Sequence, residues 1–152
     1  ICVDADYWPG DVRMVVKKGA ERLNVFDHFV ANRTIPGIEN NTMTEMVLTG
    51  TEEGSADRYI IENSGTGDLV ITRDIPLAAE LVEREICVIN DRGAVYTGEN
   101  IRQRLSERNF MKDLREAGLK QPSDRTYGHR ELKAFAAAFD RETRRLLDTR
   151  NE

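Results

Sequence analysis

The sequence contains few of the residues that most often reveal an enzyme's chemistry. Among 152 residues there are two cysteines, two histidines and one tryptophan. Cys2 and Cys87 each lie in an apolar, strand-like run, which is typical of reduced, buried thiols and argues against a disulfide or a zinc site. His28 and His129 have no nucleophile or ligand cluster around them in the sequence, and we expect both to be structural.

Long apolar runs are also missing. The sequence has no stretch of about 18 apolar residues, the length that a membrane-spanning helix needs. No charged segment followed by an apolar run and a small-residue cleavage site opens it, so we expect a cytoplasmic protein. An apolar fraction of 39% over 152 residues is enough for one domain with its own core. We therefore predict a single domain over residues 1–152.

The net charge of −5 is unevenly distributed. Residues 101–152 carry 13 Lys and Arg against 9 Asp and Glu, a net charge of +4, which leaves −9 for residues 1–100. Solvated helix faces would explain the basic part, and a rim that contacts the phosphates of a nucleic acid is the alternative. On that alternative, the candidate nucleic-acid-binding residues are Arg73, Arg102, Arg104 and Arg108.

Apolar strand-like runs alternate with helical spacing over the first 90 residues. The order is β-α-β-β-α-β-α-β, which favours an α/β fold with a mainly parallel sheet of about five strands and helices on both faces. Helices are predicted over about residues 10–23, from an N-cap at Ser55 to near Gly65, and from Pro76 onward. Strands are predicted at residues 1–3, 25–31, 46–48, 69–72 and 86–89.

The remaining third of the chain is predicted to be helical. Thr97 can cap a helix over about residues 98–106, and a second helix runs from about residue 107 to Gly118. A linker of about ten residues contains Pro122 and Gly128. Apolar residues from Leu132 to Leu147 then recur as one face of a last helix. Residues 98–152 are therefore expected to form a helical extension packed on the same domain.

Four aspartates are predicted to meet at one edge of the sheet. Asp4 and Asp6 follow the first strand, Asp74 follows the strand at residues 69–72, and Asp57 lies in the first turn of a helix. Ligands of open α/β sheets bind at the carboxyl ends of the strands, where the strand order reverses. Each aspartate alone could be a cap or turn residue. Together they would repel strongly unless a cation offset their charges.

The chemistry of such a pocket follows from its oxygen ligands. Carboxylates without histidine or cysteine favour Mg²⁺ or Mn²⁺ over Zn²⁺. A metal bound by one or two carboxylates leaves room for a substrate phosphate and can activate water for phosphodiester hydrolysis. The candidate catalytic residues are Asp4, Asp6, Asp57 and Asp74. Asp68 precedes its strand and is expected at the opposite edge, in a structural role.

Several blocks of the sequence resemble the YaiI/YqxD family of bacterial proteins. They are Val3 to Asp6 with Pro9, Ala56-Asp57, the long block from Gly67 to Ala78, Asp91 to Gly93, Tyr96-Thr97, Ile101-Arg102, Arg104-Leu105 and Phe110-Met111. That family is similar to PIN-like domains, a fold of metal-dependent nucleases with acidic residues at strand ends. The resemblance implies that Asp4, Asp57 and Asp74 are the metal ligands and that Asp6 adds to the acidic centre.

The chain departs from the family pattern after its first acidic motif. The family typically continues with a cysteine before the proline, whereas Tyr7 and Trp8 precede Pro9 here. Two aromatic side chains beside an acidic pocket could stack on bases. The alternative is that Trp8 packs on the following helix.

Three functions remain open on the sequence alone. The first is a Mg²⁺- or Mn²⁺-dependent nuclease that acts on RNA or single-stranded nucleic acid. The second is a non-catalytic domain that binds RNA or a protein partner. The third is a phosphatase of the haloacid dehalogenase type, which the Asp4-x-Asp6 motif imitates. That phosphatase needs a Ser or Thr at a strand end and a distant Lys, and Thr72 and Lys112 fit these roles poorly.

Overall fold

A computed structural model of the chain describes residues 1–5, 8–119 and 126–152. Within these residues it contains six strands and five helices. The strands are β1 (Cys2–Asp4), β2 (Asp27–Ala31), β3 (Thr44–Leu48), β4 (Leu69–Ile71), β5 (Cys87–Ile89) and β6 (Val95–Tyr96). The helices are α1 (Gly10–Leu23), α2 (Ser55–Asn63), α3 (Ile75–Glu83), α4 (Asn100–Glu116) and α5 (His129–Arg150).

The six strands form one sheet in the order β3-β2-β1-β4-β5-β6. Strands β1 to β5 are parallel, and β6 pairs antiparallel with β5. In β1, Val3 pairs with Phe29 on one side and with Ile71 on the other. The chain therefore builds outward from β1 in both directions, and its strand order reverses between β1 and β4.

Both faces of the sheet are covered by helices. Alternate strand residues point to opposite faces, so Val3 and Ile71 join one core with Val12 of α1 and Phe135 of α5. Cys2 and Val70 join a second core with residues of the remaining helices. These are Ile60 of α2, Leu77 and Leu81 of α3, and Ile101 of α4. The predicted three-layer α/β fold is confirmed.

The C-terminal helices pack on these layers. Helix α5 lies against α1 so closely that a Cβ on Gly19 would come within 2.4 Å of Phe139 Cε1. Glycine at this position lets the two helices approach, and any larger residue would force the Phe139 ring to move. On the other face, Ile101 at the start of α4 is buried beside α3. The predicted linker residue Pro122 lies outside the described residues.

One local prediction is wrong, and one short strand was missed. The sequence predicts two helices over residues 98–118, whereas α4 is one continuous helix (Asn100–Glu116). No glycine or proline occurs between Gly98 and Gly118 to divide it. The short strand β6 was not predicted, because two residues are too few for a recognisable alternation.

Both cysteines are free thiols; Cys2 is buried, as the sequence predicts, whereas Cys87 is only half-buried. Burial raises the pKa of the Cys2 thiol to about 11, which keeps it protonated and unreactive at neutral pH. In the part of the chain that the structure describes, no helix is both long and apolar enough to cross a membrane.

Candidate active site

A cleft of about 620 Å³ opens at the carboxyl ends of the parallel strands. It lies beside β1 and β4, at the point where the strand order reverses, which is where open α/β sheets bind their ligands. Its lining includes Asp4, Glu52, Glu53, Asp57, Arg73 and Asp74. Three of the four predicted catalytic aspartates thus line one cleft, and Asp6 lies outside the described residues.

Asp4 is the last residue of β1 and is partly buried. The alternation of β1 puts its side chain on the same face as Cys2, the face that α2 and α3 cover. Its Oδ2 accepts a hydrogen bond of 2.7 Å from Thr72 Oγ1. Thr72 follows β4 and is fully buried, so this bond fixes the Asp4 carboxylate in the floor of the cleft.

Asp74 is the N-cap residue of α3. Its Oδ1 accepts a hydrogen bond of 3.0 Å from the Leu77 backbone N–H, which satisfies one of the free donors at the start of the helix. The Asp74 backbone N–H donates to Thr72 Oγ1 at 3.0 Å. The Thr72 hydroxyl therefore connects two predicted metal ligands, since it donates to Asp4 and accepts from Asp74.

Replacing Thr72 by valine is expected to lower the free energy of unfolding by about 1–3 kcal/mol, because the Asp4 oxygen and the Asp74 N–H both lose a buried partner. Valine keeps the shape of the side chain, so packing changes little. Urea denaturation measures the loss. Thr72→Ser, which keeps the hydroxyl, is the matched control and should retain most of the stability; equal losses in both variants would contradict a role for the hydroxyl.

Asp57 enters the cleft from the first turn of α2. The helix begins after Gly54, which adopts a left-handed φ of 79°, so the predicted N-cap at Ser55 is displaced by one residue. Burial raises the pKa of the Asp57 carboxyl above its ordinary value, and the negative charges of Asp74 and Glu80 raise it further. Asp57 and Asp74 are therefore close enough to repel each other.

This raised pKa predicts how stability depends on pH. The folded state holds the Asp57 proton more tightly than the unfolded state, so ionised Asp57 destabilises the fold as the pH rises through its pKa. In EDTA, Asp57→Asn should therefore raise the melting temperature at pH 7. The gain should disappear below about pH 3.8, the ordinary value, where both states are protonated. A gain that is independent of pH would show that charge is not its cause.

The donor set of the cleft fits a hard divalent cation. The lining carboxylates offer oxygen ligands, which Mg²⁺ and Mn²⁺ prefer. Over the described ranges 1–5, 8–119 and 126–152, no group of three or more His, Cys, Asp and Glu side chains is already arranged to hold a metal ion. Mg²⁺ usually takes only one or two protein carboxylates and completes its shell with water, so a pre-arranged cluster is not required.

The four predicted nucleic-acid-binding arginines occupy different places. Arg73, which lies between Thr72 and Asp74 in the sequence, lines the cleft. Arg102 lines a separate open depression with Thr97, Gly98 and Glu99. Arg104 and Arg108 are exposed on α4. Of the four, only Arg73 is placed beside the predicted metal ligands, and binding of nucleic acid by all four stays a prediction.

Trp8 packs in the core. It is 5% exposed and meets the Phe135 ring edge-on at a centroid distance of 6.4 Å. This leaves too little ring surface for a base to stack on, so Trp8 is a core residue, and its ring partner is Phe135 of the last helix α5. Tyr7 lies outside the described residues.

Sequence reasoning missed one part of the site. Asp91 is 2% exposed and forms an ion pair with Arg73, 18 residues earlier in the chain. In the sequence, Asp91 to Gly93 is distinguished only as one of the blocks that resemble the YaiI/YqxD family. The available clue is that Asp91 closely follows β5, at the same edge of the sheet as Asp4 and Asp74.

Comparison with known proteins gives a consistent result. Residues 2–145 match a family model described as an uncharacterized BCR, YaiI/YqxD family. A UPF0178 protein of Treponema pallidum is 50% identical over 145 residues, covering 95% of this chain and 81% of the relative. A UPF0178 protein of Myxococcus xanthus is 41% identical over 149 residues, covering 98% and 97%. No solved structure gives a significant match. The chain therefore belongs to the YaiI/YqxD family.

Proposed function

We propose that the protein is a Mg²⁺- or Mn²⁺-dependent nuclease that hydrolyses phosphodiester bonds in RNA or other single-stranded nucleic acid. The observation that carries the proposal is that Asp4, Asp57 and Asp74 line one cleft. They come from three separate parts of the chain and from three different elements. A single aspartate at a strand end is often a cap, whereas carboxylates that share one cleft repel one another and attract a cation, and the charge of Asp74 already raises the pKa of Asp57.

Each residue has a distinct part in the proposed reaction. Asp4, Asp57 and Asp74 supply the oxygen ligands, and Thr72 holds two of them in place. Arg73 binds a phosphate beside them. A bound Mg²⁺ or Mn²⁺ supplies polarisation of the phosphodiester and activation of water. Hydrolysis joins the water oxygen to phosphorus and breaks the bond to one ribose oxygen, which takes up a proton.

Two further features support a nucleic acid as the substrate. The basic C-terminal part offers Arg102, Arg104 and Arg108 as exposed cations on α4 for phosphates beyond the cleft. The resemblance of the family to PIN-like nucleases points to the same reaction, although by analogy of fold. We place the protein in the cytoplasm, where single-stranded RNA is available.

The proposal is tested by incubating the purified protein with end-labelled single-stranded RNA in Mn²⁺, in Mg²⁺ or in EDTA. Denaturing gels should show shorter products with a divalent cation and intact RNA in EDTA. An Asp4→Asn variant purified in parallel controls for contaminating ribonucleases and should be inactive. RNA binding without cleavage in either cation would overturn the nuclease and favour a non-catalytic binding domain. Release of phosphate from a small phosphomonoester would instead favour the phosphatase.

A further inference from the structure

The ion pair between Arg73 and Asp91 joins the cleft to the interior of the protein. Arg73 Nε donates to Asp91 Oδ2 at 2.8 Å, and Nη2 of the same guanidinium contacts the same oxygen. The Asp91 side chain is 2% exposed and the Arg73 side chain 46% exposed. A buried carboxylate needs a compensating charge, so Asp91 draws one edge of the guanidinium toward it.

Asp91 is held rigidly by the turn that contains it. Asn90 Oδ1 accepts hydrogen bonds from two backbone N–H groups of this turn. Gly93 has a φ of +84°, and a Cβ there would lie 2.5 Å from the Ala134 carbonyl oxygen on α5. Tyr127 Oη donates to the Asp91 carbonyl oxygen at 2.8 Å. The turn is therefore packed directly against α5 and the residues before it.

The pair affects the cleft because of where Arg73 stands in the chain. Arg73 lies between Thr72, which holds the Asp4 carboxylate, and Asp74, which caps α3. A long arginine side chain here could pair with any carboxylate of the cleft. Asp91 gives the guanidinium a fixed partner outside the set of predicted metal ligands, while the side chain still lines the cleft. Fixing it beforehand reduces the entropy lost when a phosphate binds.

We propose that Asp91 is a positioning residue, which fixes Arg73 at the rim of the acidic cleft so that its guanidinium meets a backbone phosphate of single-stranded nucleic acid. This inference rests on the proposed nuclease function. It assigns the phosphate contact to the Arg73–Asp91 pair as a unit and makes a buried acid necessary for binding a polyanion.

The sign of the effect makes the inference testable. Asp91→Asn removes a negative charge near the cleft, and electrostatics alone would then strengthen binding of an anionic strand. A positioning role requires the opposite result. We expect Asp91→Asn to weaken binding about threefold or more and Arg73→Gln to weaken it about tenfold, the effect of one charge-assisted hydrogen-bonded contact. The double variant should bind no more weakly than Arg73→Gln.

Fluorescence anisotropy of a short labelled single-stranded RNA in Mg²⁺ measures these affinities, with RNA integrity checked on gels. The logarithm of the affinity is plotted against the logarithm of the salt concentration. The magnitude of this slope should fall by about 0.7 in Arg73→Gln, the value for one lost phosphate contact on a single strand. Asp91→Asn should also make the salt dependence shallower. A merely structural role of Asp91 would not change this slope.

Two further sets of variants control the experiment. Arg150 Nη2 pairs with Asp68 Oδ1 at 3.0 Å, and Asp68 precedes β4, at the opposite edge of the sheet. Arg150→Gln and Asp68→Asn therefore make the same charge changes away from the cleft and should leave RNA binding nearly unchanged. Arg73→Lys keeps the charge at an exposed position but loses the two-nitrogen contact, so it should fold and bind roughly three- to tenfold more weakly.

The outcomes separate this inference from the nuclease itself. A folded Asp91→Asn variant that binds RNA as tightly as the wild type, or an Arg73→Lys variant with full affinity, overturns the positioning role. If the wild type still cleaves RNA, the nuclease survives that result. Conversely, absence of metal-dependent cleavage with the predicted loss of binding overturns only the nuclease. A wild type without measurable affinity for RNA overturns both.

Discussion

Replacing Asp74 by asparagine is expected to reduce Mn²⁺-dependent RNA cleavage by about 100-fold or more while the protein stays folded. Asparagine caps helices as well as aspartate does, so its side-chain oxygen can still accept from the Leu77 N–H. The backbone bond from residue 74 to Thr72 is also retained. The substitution therefore removes one charged ligand and little else. Cleavage rates are compared by gel assay, and melting temperatures confirm the fold.

Asp68→Asn is the matched control for this prediction. It makes the same change of charge in the segment before β4, at the edge opposite the cleft. Its cleavage rate should remain within about twofold of the wild type, since surface charges far from a site are largely screened. Equal rates in Asp74→Asn and Asp68→Asn would contradict the assignment of Asp74 as a ligand.

Replacing Phe135 by alanine is expected to lower the free energy of unfolding by about 3–5 kcal/mol. The Phe135 ring is fully buried and lies 6.4 Å from the Trp8 ring and 6.0 Å from the Phe139 ring. Its removal leaves a cavity between α5 and the sheet. Urea denaturation measures the loss, and fluorescence is a direct probe because Trp8 is the only tryptophan and lies in this core.

Phe110→Ala provides the comparison at a surface position. Phe110 is 61% exposed on α4, so its truncation should change the free energy of unfolding by no more than about 0.5 kcal/mol. A small loss at Phe135 would mean that α5 contributes little to the core. In that case the predicted single domain over residues 1–152 would be wrong in its C-terminal part.

Much of the fold could be predicted because the pattern of strands and helices is local. Helix α1 was predicted within its observed bounds, since proline, glycine and a regular apolar face mark it. The carboxyl ends of parallel strands meet at one edge, and this topological rule was enough to bring Asp4 and Asp74 together. Asp57 followed from its position in the first turn of a helix after a strand.

The parts that sequence reasoning missed depend on contacts between distant residues. The Arg73–Asp91 pair forms only once β4 and β5 lie side by side, and the turn pattern around Asp91 does not encode that partner. The Thr72 hydroxyl donates to Asp4, which lies 68 residues earlier in the chain. This bond forms only because β1 pairs with β4 in the sheet. Burial of Trp8 was expected, but its ring partner Phe135 lies 127 residues further along the chain, on α5, and the sequence around Trp8 does not encode that partner.

The most direct test of the account is whether the acidic cleft binds a divalent cation. A crystal of the protein soaked in Mn²⁺ and measured near the manganese absorption edge locates bound metal by its anomalous scattering. We predict a peak in the cleft within coordination distance of the Asp74 carboxylate and of the carboxylate of Asp4 or Asp57, and we predict that crystals of Asp74→Asn lack this peak. No peak in the cleft at a saturating Mn²⁺ concentration, or a peak that is unchanged in Asp74→Asn, would contradict the account.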